Sequence, residues 1–263
     1  MDKQNPAPVT VDMADKVGVI IMNGPRLNCL SRALCQGVMQ GLDTLRKREA
    51  RVVVLRAQAG AKVWSAGHDI QELPLDGKDP LSWNVPFESL LRKVRDYRLP
   101  ILGMIQGGVW GGACDLAALL DILAGADSAS FAITPAKLGL PYNLGGLSHF
   151  LGVIPLHIIK EMLFTGQPLS ARRAFDLGFL NRLVPEADLE KETMALAGEI
   201  AGLSPLAIRA VKAELAALTA AQAISPDRYE QLQGLRQEAF RSSDMREGIT
   251  AFMEKRPPRF KGE

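Results

Sequence analysis

The sequence predicts an α/β fold with a helical C-terminal appendage. Two runs of apolar and β-branched residues, 52–57 and 101–106, have the composition of strands buried on both faces. Segments with helical spacing of apolar residues separate and follow them, without the strict regularity of a barrel. Residues 218–255 are rich in Ala, Leu, Gln and Glu and carry no strand signal. We therefore expect a core over residues 1–204 and a helical region over 205–263.

Local patterns predict the elements of the first half of the chain. Short alternating segments at 9–12 and 17–22 indicate a β-hairpin. Ser31 suits the N-cap of a helix that reaches about Lys47, with apolar residues at helical spacing. Next we expect, in order, the strand 52–57, an irregular segment at 63–70, a helix over 87–97 that Pro100 stops, and the strand 101–106.

The second half begins with a glycine-rich turn and becomes increasingly helical. The turn opens a helix over about 111–120. Short strands at 121–124 and 130–133, then helices at 156–164, 170–177 and 186–202, follow it. Ser204 and Pro205 begin a last well-marked helix, which reaches about Leu218. The apolar side of the C-terminal region needs a partner surface, either the core or another subunit.

Composition excludes several classes of function. The formal net charge of the 263 residues is only +2, so we expect no general affinity for nucleic acid or membranes. The three cysteines form no CxxC pair, which favours a reducing compartment. The N-terminus has no apolar signal region and no apolar run approaches the length of a membrane span, so we expect a cytoplasmic protein. The three histidines are too scattered to predict a metal site.

Two segments carry the chemistry that the residues alone suggest. At residues 107–116 a glycine turn opens a helix, and a free backbone N–H there can stabilise negative charge on a ligand oxygen. Tyr142 lies among glycines and prolines, where loops and site residues tend to occur. Acyl chemistry that develops an oxyanion could use both segments.

Five ordered segments carry a resemblance to a known family: 26–31, 64–70, 107–116, 165–181 and 247–260. Together they resemble the crotonase (enoyl-CoA hydratase/isomerase) superfamily over nearly the whole chain. The resemblance implies a crotonase-like spiral of ββα units. It also implies a homo-oligomer, either a trimer or a dimer of trimers, whose C-terminal region contributes subunit contacts and closes the CoA site.

The resemblance also implies an oxyanion site. In the family two backbone N–H groups hold the thioester oxygen, and by motif position these belong to His68 and Gly112. The imidazole of His68 is then free for another role, or merely fills a turn. Hydratases of the family use two glutamates around a water, but Asp115 and Pro135 stand at those positions here. Pro135 cannot titrate, so paired-carboxylate hydration is not expected. Asp115 either acts in catalysis or complements the helix dipole.

Within the superfamily, the strings 65–74, 109–113 and 134–144 are similar to its decarboxylase branch. This implies decarboxylation of a small malonyl-type thioester, methylmalonyl-CoA to propionyl-CoA, with Tyr142 orienting the carboxylate. Isomerisation or thioester hydrolysis with Asp115 as sole base is an alternative. A catalytically silent acyl-CoA-binding protein is another.

The acyl-CoA would be bound by further residues of these motifs, and no separate cofactor is expected because coenzyme A is part of the substrate. The resemblance implies that backbone groups around Leu27, Ala66, Asp69 and Ile70 contact the pantetheine and the adenine. Cys29, Gly111 and Thr134 are also expected to bind the substrate or its CoA part. Apolar wall could come from Trp110, Ile133 and Leu140, although for Trp110 packing in the core is the simpler expectation. Arg26, Phe252 and Lys255 could serve the phosphates and the adenine.

Overall fold

The structure is a computed structural model that describes residues 7–73, 79, 82, 84–219 and 226–262. The strands within this part form one six-stranded and one four-stranded sheet. In chain order they are β1 (Val9–Ala14), β2 (Val17–Met22), β3 (Val52–Ala57), β4 (Val63–Ser65), β5 (Ile101–Ile105), β6 (Gly108–Trp110), β7 (Ile122–Ala126), β8 (Ser130–Ala132), β9 (Leu169–Ser170) and β10 (Arg182–Val184).

Successive strand pairs place one strand in each sheet, which confirms the predicted spiral of ββα units. The larger sheet has the order β1-β2-β3-β5-β7-β10 and the smaller one β4-β6-β8-β9. The pairs β3/β4, β5/β6 and β7/β8 therefore each contribute to both sheets. Their ladders are parallel, with Val54 opposite Leu102 and Leu102 opposite Ile122. Parallel neighbours need crossover connections, and helices supply these after β4 and β6.

The helices surround these sheets and fill the C-terminal region. In chain order they are the short turn α1 (Pro25–Asn28), then α2 (Arg32–Lys47), α3 (Pro86–Arg95), α4 (Gly112–Ala118), α5 (Leu144–Leu151), α6 (Leu156–Thr165), α7 (Ala171–Asp176), α8 (Leu189–Gly202), α9 (Pro205–Thr219), α10 (Pro226–Arg241) and α11 (Ser243–Met253). Ser31 caps α2 as predicted, because its side chain accepts a hydrogen bond from the Leu34 N–H.

Six elements were not anticipated by the sequence patterns: β4, β6, β9, β10, α1 and α5. The four strands are only two or three residues long, and their partners lie far along the chain. The glycine-rich start of β6 has the composition of a turn, so it gives no strand signal. Smaller differences concern boundaries: the strand expected at 121–124 is Ile122–Ala126, and the helix expected at 87–97 is Pro86–Arg95.

The C-terminal helices pack onto the core next to the turn at Pro135–Leu138. A Cβ on Gly248 of α11 would lie 2.5 Å from the carbonyl group of Leu138, so the two backbones are in direct contact. The end of the chain folds back on the same helix, because Arg256 forms an ion pair with Glu247 at 2.7 Å. The helix α11 is thereby held against the core.

No single helix among the described residues is long and apolar enough to cross a membrane. Glu186–Gly202 and Pro205–Thr219 meet the criterion only when taken together, and they are bent by 104° at the break between them.

Candidate active site

A cavity lies where the glycine turn before α4 meets the segment that follows β4, and the C-terminal helices cover it. Many of the residues expected from the sequence line it. They are Ala66, His68, Ile70, Gly111, Gly112, Asp115, Thr134, Leu140, Tyr142 and Phe252. Further lining residues were not predicted as site residues. These are Leu73, Phe87, Leu138, Pro141, Asn143 and Phe240, and Pro135, at the second expected carboxylate position, lines the cavity as well.

The glycine turn places a free N–H at the start of α4. Gly111 is the N-cap, with φ 54° and ψ −123°, a conformation that favours glycine. Its own N–H donates to the carbonyl oxygen of Ala132 at 2.8 Å. The N–H of Gly112 is the first of the helix and therefore has no acceptor within it. The turn thus presents this donor at the positive end of the helix dipole.

The backbone around Gly67 and His68 packs directly against this turn. Gly67 has φ +82°, and a Cβ there would lie 2.3 Å from the Trp110 carbonyl oxygen and 3.0 Å from the Gly112 nitrogen. The carbonyl of Gly67 accepts from the Leu30 N–H at 2.8 Å, as part of a parallel bridge between Leu30 and His68. In this bridge the N–H of His68 is turned away from Leu30. The two expected backbone donors are therefore neighbours.

The His68 ring is held by apolar contact in a partly buried position. It meets the Phe87 ring edge-on, with the ring centroids 5.6 Å apart. Burial lowers the pKa of the His68 imidazole, and the nearby Asp69 carbonyl opposes this effect. The ring is consequently neutral at physiological pH.

Asp115 is a buried carboxyl with a histidine partner. Its Oδ1 lies 2.5 Å from Nδ1 of His149, which comes from the next helix, α5. Burial raises the pKa of Asp115, while the hydrogen bond and charge of His149 act to lower it. Among the described residues that line the cavity, Asp115 is the only one with a carboxyl group.

Tyr142 stands beside this carboxyl with a weakly held hydroxyl group. The hydroxyl donates to the Gly111 carbonyl oxygen across 3.4 Å, which is long for a hydrogen bond. The ring packs against Phe150, with the centroids 5.9 Å apart. Burial raises the pKa of Tyr142 well above its ordinary value, and the negative charge of Asp115 adds to this. The hydroxyl group is therefore protonated and can donate to a ligand.

A second carboxyl, that of Glu88, is partly buried behind the cavity wall. Glu88 accepts a hydrogen bond of 2.6 Å from the side-chain amide of Asn143. The side-chain oxygen Oδ1 of Asn143 in turn accepts from the Gly146 N–H and so caps α5. Burial raises the pKa of Glu88, and the charge of Asp115 contributes in the same direction.

Sequence reasoning missed both of these pairs. The partners are 34 residues apart for Asp115 and His149, and 55 for Glu88 and Asn143. No local spacing predicts contacts of this kind. The one available signal was Asn143, since asparagine before a helix is a favoured N-cap.

The expected acyl-CoA loop at α1 has an unusual backbone. Arg26, Leu27 and Asn28 all have φ between 54° and 59°, a left-handed conformation that is costly for residues other than glycine. Buried contacts compensate, because the side chain of Ser65 donates to the Asn28 carbonyl at 2.7 Å and Ala66 N–H donates to the Leu27 carbonyl at 3.0 Å. Such strain tends to occur at functional sites.

The remaining expected residues lie outside the cavity lining. Arg26 forms an ion pair of 2.5 Å with the buried Asp69, and the Sγ of Cys29 donates to the Arg26 carbonyl. Leu27 is largely exposed beside them. The Asp69 carboxylate also caps the 3-10 turn Ile70–Glu72. This group lies at the outer edge of the segment that carries His68.

Trp110, Ile133 and Lys255 have other positions. The Trp110 indole packs over Gly108, and Ile133 is fully buried in the core. Lys255 is exposed just after α11, whose Phe252 is 58% exposed although it also lines the cavity. Phe252 therefore belongs to the cavity lining, and Lys255 follows it at the end of the helix, where its N–H donates to the Phe252 carbonyl oxygen.

Comparison with known sequences identifies related proteins. The sequence profile of the enoyl-CoA hydratase/isomerase family matches residues 12–263. Methylmalonyl-CoA decarboxylase of Escherichia coli (strain K12) is 42% identical over 255 residues, which cover 97% of this chain and 98% of that protein. The human mitochondrial enoyl-CoA hydratase domain-containing protein 3 is 30% identical, over 97% of this chain and 84% of that protein.

Solved structures show the same relationship. Methylmalonyl-CoA decarboxylase complexed with 2S-carboxypropyl-CoA superimposes with a TM-score of 0.95 and 41% identity, over the whole of both chains. The complex of a methylmalonyl-CoA decarboxylase with 2-nitronate-propionyl-CoA also has a TM-score of 0.95, over 97% of this chain and 98% of the other.

Proposed function

Because the chain belongs to the enoyl-CoA hydratase/isomerase family, we propose that it is an enzyme that decarboxylates methylmalonyl-CoA to propionyl-CoA. The relative that bears this name in Escherichia coli matches almost the full chain, and solved complexes of methylmalonyl-CoA decarboxylase contain coenzyme A derivatives. The observation that carries the proposal is the make-up of the cavity. His68 and Gly112, which carry the two neighbouring backbone donors, line it together with Tyr142. Pro135 also lines it and supplies no second carboxyl.

Loss of carbon dioxide requires little more than orientation and an electron sink. The carboxylate stands roughly perpendicular to the thioester plane, and the electrons of the breaking C–C bond flow into the thioester. The N–H groups of His68 and Gly112 hold the resulting enolate oxygen. These donors gain strength as charge grows on that oxygen, so they stabilise the transition state more than the substrate.

The surrounding side chains position the reacting carboxylate. Tyr142 is protonated and can donate to the carboxylate, and its position next to the glycine turn supports this role. The neutral His68 ring and Phe87 add an uncharged wall. Less water around the carboxylate favours its departure as neutral carbon dioxide.

The remainder of the acyl-CoA would extend toward the C-terminal helices. Phe252 lines the cavity and Lys255 follows it in the chain, and an aromatic ring and a positive charge suit adenine and phosphate groups. The Leu27 carbonyl accepts from the N–H of the lining residue Ala66, so the loop that carries Arg26 adjoins the cavity. This arrangement supports a role for residues 205–263 in closing the CoA site.

The same region supports assembly into a homo-oligomer, a trimer or a dimer of trimers. The helix α9 carries four large apolar side chains that are each more than half exposed, Leu206, Val211, Leu215 and Leu218. Large exposed apolar patches are characteristic of protein interfaces. Light scattering after size-exclusion chromatography measures the assembly directly, and a monomer would contradict this proposal.

Mixing the enzyme with methylmalonyl-CoA tests the proposed reaction. We expect release of carbon dioxide and formation of propionyl-CoA in equal amounts. A coupled bicarbonate assay measures the first product, and mass spectrometry measures the second. Release of free CoA without carbon dioxide would instead indicate thioester hydrolysis. Binding of the CoA ester without any turnover would indicate a catalytically silent protein.

A further inference from the structure

The proposed reaction leaves an enolate that needs a proton, and the cavity holds one group suited to provide it. Loss of carbon dioxide consumes no proton, whereas formation of propionyl-CoA requires one at the α carbon. The proposed mechanism already uses the hydroxyl of Tyr142 to orient the substrate carboxylate. Asp115 is the carboxyl among the described lining residues, and it is paired with His149.

The Asp115–His149 pair connects the cavity with the outside of the protein. The side chain of Asp115 is 3% exposed and reaches the cavity, while that of His149 is 13% exposed and is not part of the cavity lining. The 2.5 Å contact between Oδ1 and Nδ1 is a short hydrogen bond. The second ring nitrogen of His149 is directed away from Asp115. An imidazole in this position can take up a proton at one nitrogen and give one up at the other.

The helix α5 is built so that this contact can form. Gly146 and His149 are three residues apart and so lie on the same face of α5. A Cβ on Gly146 would lie 2.8 Å from Oδ2 of Asp115 and 2.6 Å from Cε1 of Tyr142. Glycine therefore leaves the space into which the Asp115 carboxyl and the Tyr142 ring fit. The side chain of Asn143 caps the helix and fixes its start.

We propose that His149 relays protons from solvent to Asp115, which protonates the enolate carbon. This inference rests on the proposed decarboxylation. Asp115 is the catalytic acid in this scheme, and His149 is a positioning and relay residue that does not touch the substrate.

The steps balance without any further reactant. The C–C bond to the carboxylate breaks, its electron pair forms the enolate, and carbon dioxide leaves. The enolate then takes the proton from the Asp115 carboxyl to form the new C–H bond. The resulting carboxylate takes a proton from Nδ1 of His149, and the ring is reprotonated by solvent. One proton is consumed in each turnover, as the overall reaction requires.

The charged and titratable surroundings favour a protonated Asp115. The charge of Asp115 acts on the pKa of Glu88 from α3, of the Tyr142 hydroxyl and of the buried Cys114 thiol, and Arg92 acts on that of Glu88. Burial raises the pKa of Asp115, so the carboxyl keeps its proton at a higher pH than an exposed aspartate does. His149 is the partner that lowers this pKa.

Hydrogen exchange at the α carbon of propionyl-CoA tests the relay without requiring C–C cleavage. By microscopic reversibility the same pair removes the α proton from the product, so the wild-type enzyme in D2O should incorporate deuterium at C2. We expect His149→Gln to slow this exchange by about 100-fold, within the range of general acid–base catalysis. Affinity for propionyl-CoA should stay within about twofold, because His149 does not line the cavity. His157→Gln, at an exposed histidine of α6, is the matched control and should exchange at the wild-type rate.

The pH dependence separates a relay from a merely structural histidine. Exchange needs the carboxylate form of Asp115, so its rate rises with pH through the pKa of that group. Because His149 lowers this pKa, His149→Gln should move the midpoint of the rise to higher pH. A variant with the wild-type rate and an unmoved midpoint would overturn the proposal. Absence of exchange in the wild-type enzyme would overturn it as well.

A second variant covers the case in which His149→Gln does not fold. In His149→Ala, added imidazole can enter from the exposed side and should restore exchange, whereas added imidazole should not accelerate Asp115→Asn. Failure of imidazole to restore exchange in folded His149→Ala would contradict the relay.

Carbon dioxide release by the wild-type enzyme is measured separately. Decarboxylation with exchange that does not depend on His149 would overturn the relay alone, and His149-dependent exchange without decarboxylation would overturn the proposed reaction alone.

Discussion

The backbone of Gly67 packs directly on the carbonyl group of Trp110, so closely that a Cβ on Gly67 would lie 2.3 Å from the Trp110 oxygen. Two separate segments of the chain are brought together at this point. One carries the His68 N–H and the other the Gly112 N–H. The distance between these two donors therefore depends on the absence of a side chain at residue 67.

Replacing this glycine should disrupt the oxyanion site. In Gly67→Ala the new Cβ must push the Trp110 carbonyl away, and the φ of +82° is unfavourable for alanine. We expect kcat/KM for methylmalonyl-CoA to fall by about 100-fold or more, because small misplacements of catalytic groups are costly. Gly60→Ala is the control: its φ is +73°, but nothing lies within 4 Å of the added Cβ. It should lose some stability and keep its kcat/KM, and equal activity in both variants would refute this prediction.

Removing the Tyr142 hydroxyl should slow the reaction without weakening CoA binding. Phenylalanine keeps the packing against Phe150 and loses only the donor to the substrate carboxylate. We expect kcat of Tyr142→Phe to fall by about tenfold or more, equivalent to about 1.4 kcal/mol. The Kd for propionyl-CoA, measured by calorimetry, should be nearly unchanged. An unaltered kcat would mean that Tyr142 only packs.

A methyl group at residue 146 should disturb Asp115 and Tyr142 together. In Gly146→Ala the Cβ would lie within 2.8 Å of both side chains, so at least one must move. We expect a lower kcat, together with slower exchange at C2 of propionyl-CoA. Gly145→Ala on the same helix is the control, since its Cβ meets only Oδ1 of Asn143 at 3.7 Å. If kcat were lowered equally in both variants, the cause would be helix α5 as a whole rather than this contact.

Hydration of crotonyl-CoA should be very weak. Pro135 lines the cavity and has no group that could polarise an attacking water, which leaves Asp115 as the one carboxyl of the described lining. We expect the hydration rate, followed by loss of enoyl absorbance, to be more than about tenfold below that of methylmalonyl-CoA decarboxylation. Comparable rates for the two substrates would contradict the decarboxylase assignment.

The partly buried carboxyl of Glu88 should make stability depend on pH. Because burial raises its pKa in the folded protein, folding favours the protonated form, and the stabilisation is lost as pH rises from the unfolded to the folded pKa. Glu88→Gln keeps an acceptor for Asn143 and carries no charge. The melting temperature of the variant minus that of the wild type should therefore be larger at pH 8 than at pH 4. Glu199→Gln, at an exposed glutamate of α8, is the matched control. A Glu88→Gln variant whose melting temperature differs from the wild type by the same amount at both pH values would disprove the burial effect.

Local sequence determined the elements whose stability is itself local. Ser31 caps α2, and the apolar run of β3 spans Val52–Ala57 as expected, because capping and burial periodicity act within a few residues. Gly111 marks the turn before α4 for a similar reason, since its conformation favours glycine. The ordered motifs also indicated the family and, through it, the positions of His68, Gly112 and Tyr142.

Tertiary structure decided the pairings that chemistry at the site depends on. The spacing of Asp115 and His149 does not predict a contact, because the two residues lie on different helices and are 34 residues apart. The close approach of Gly67 to Trp110 and the short strand β6 likewise exist only once the two sheets have formed. The physical reason is that a hydrogen bond or a close contact depends on distance in space, whereas helical and strand periodicity records only which face of an element is buried.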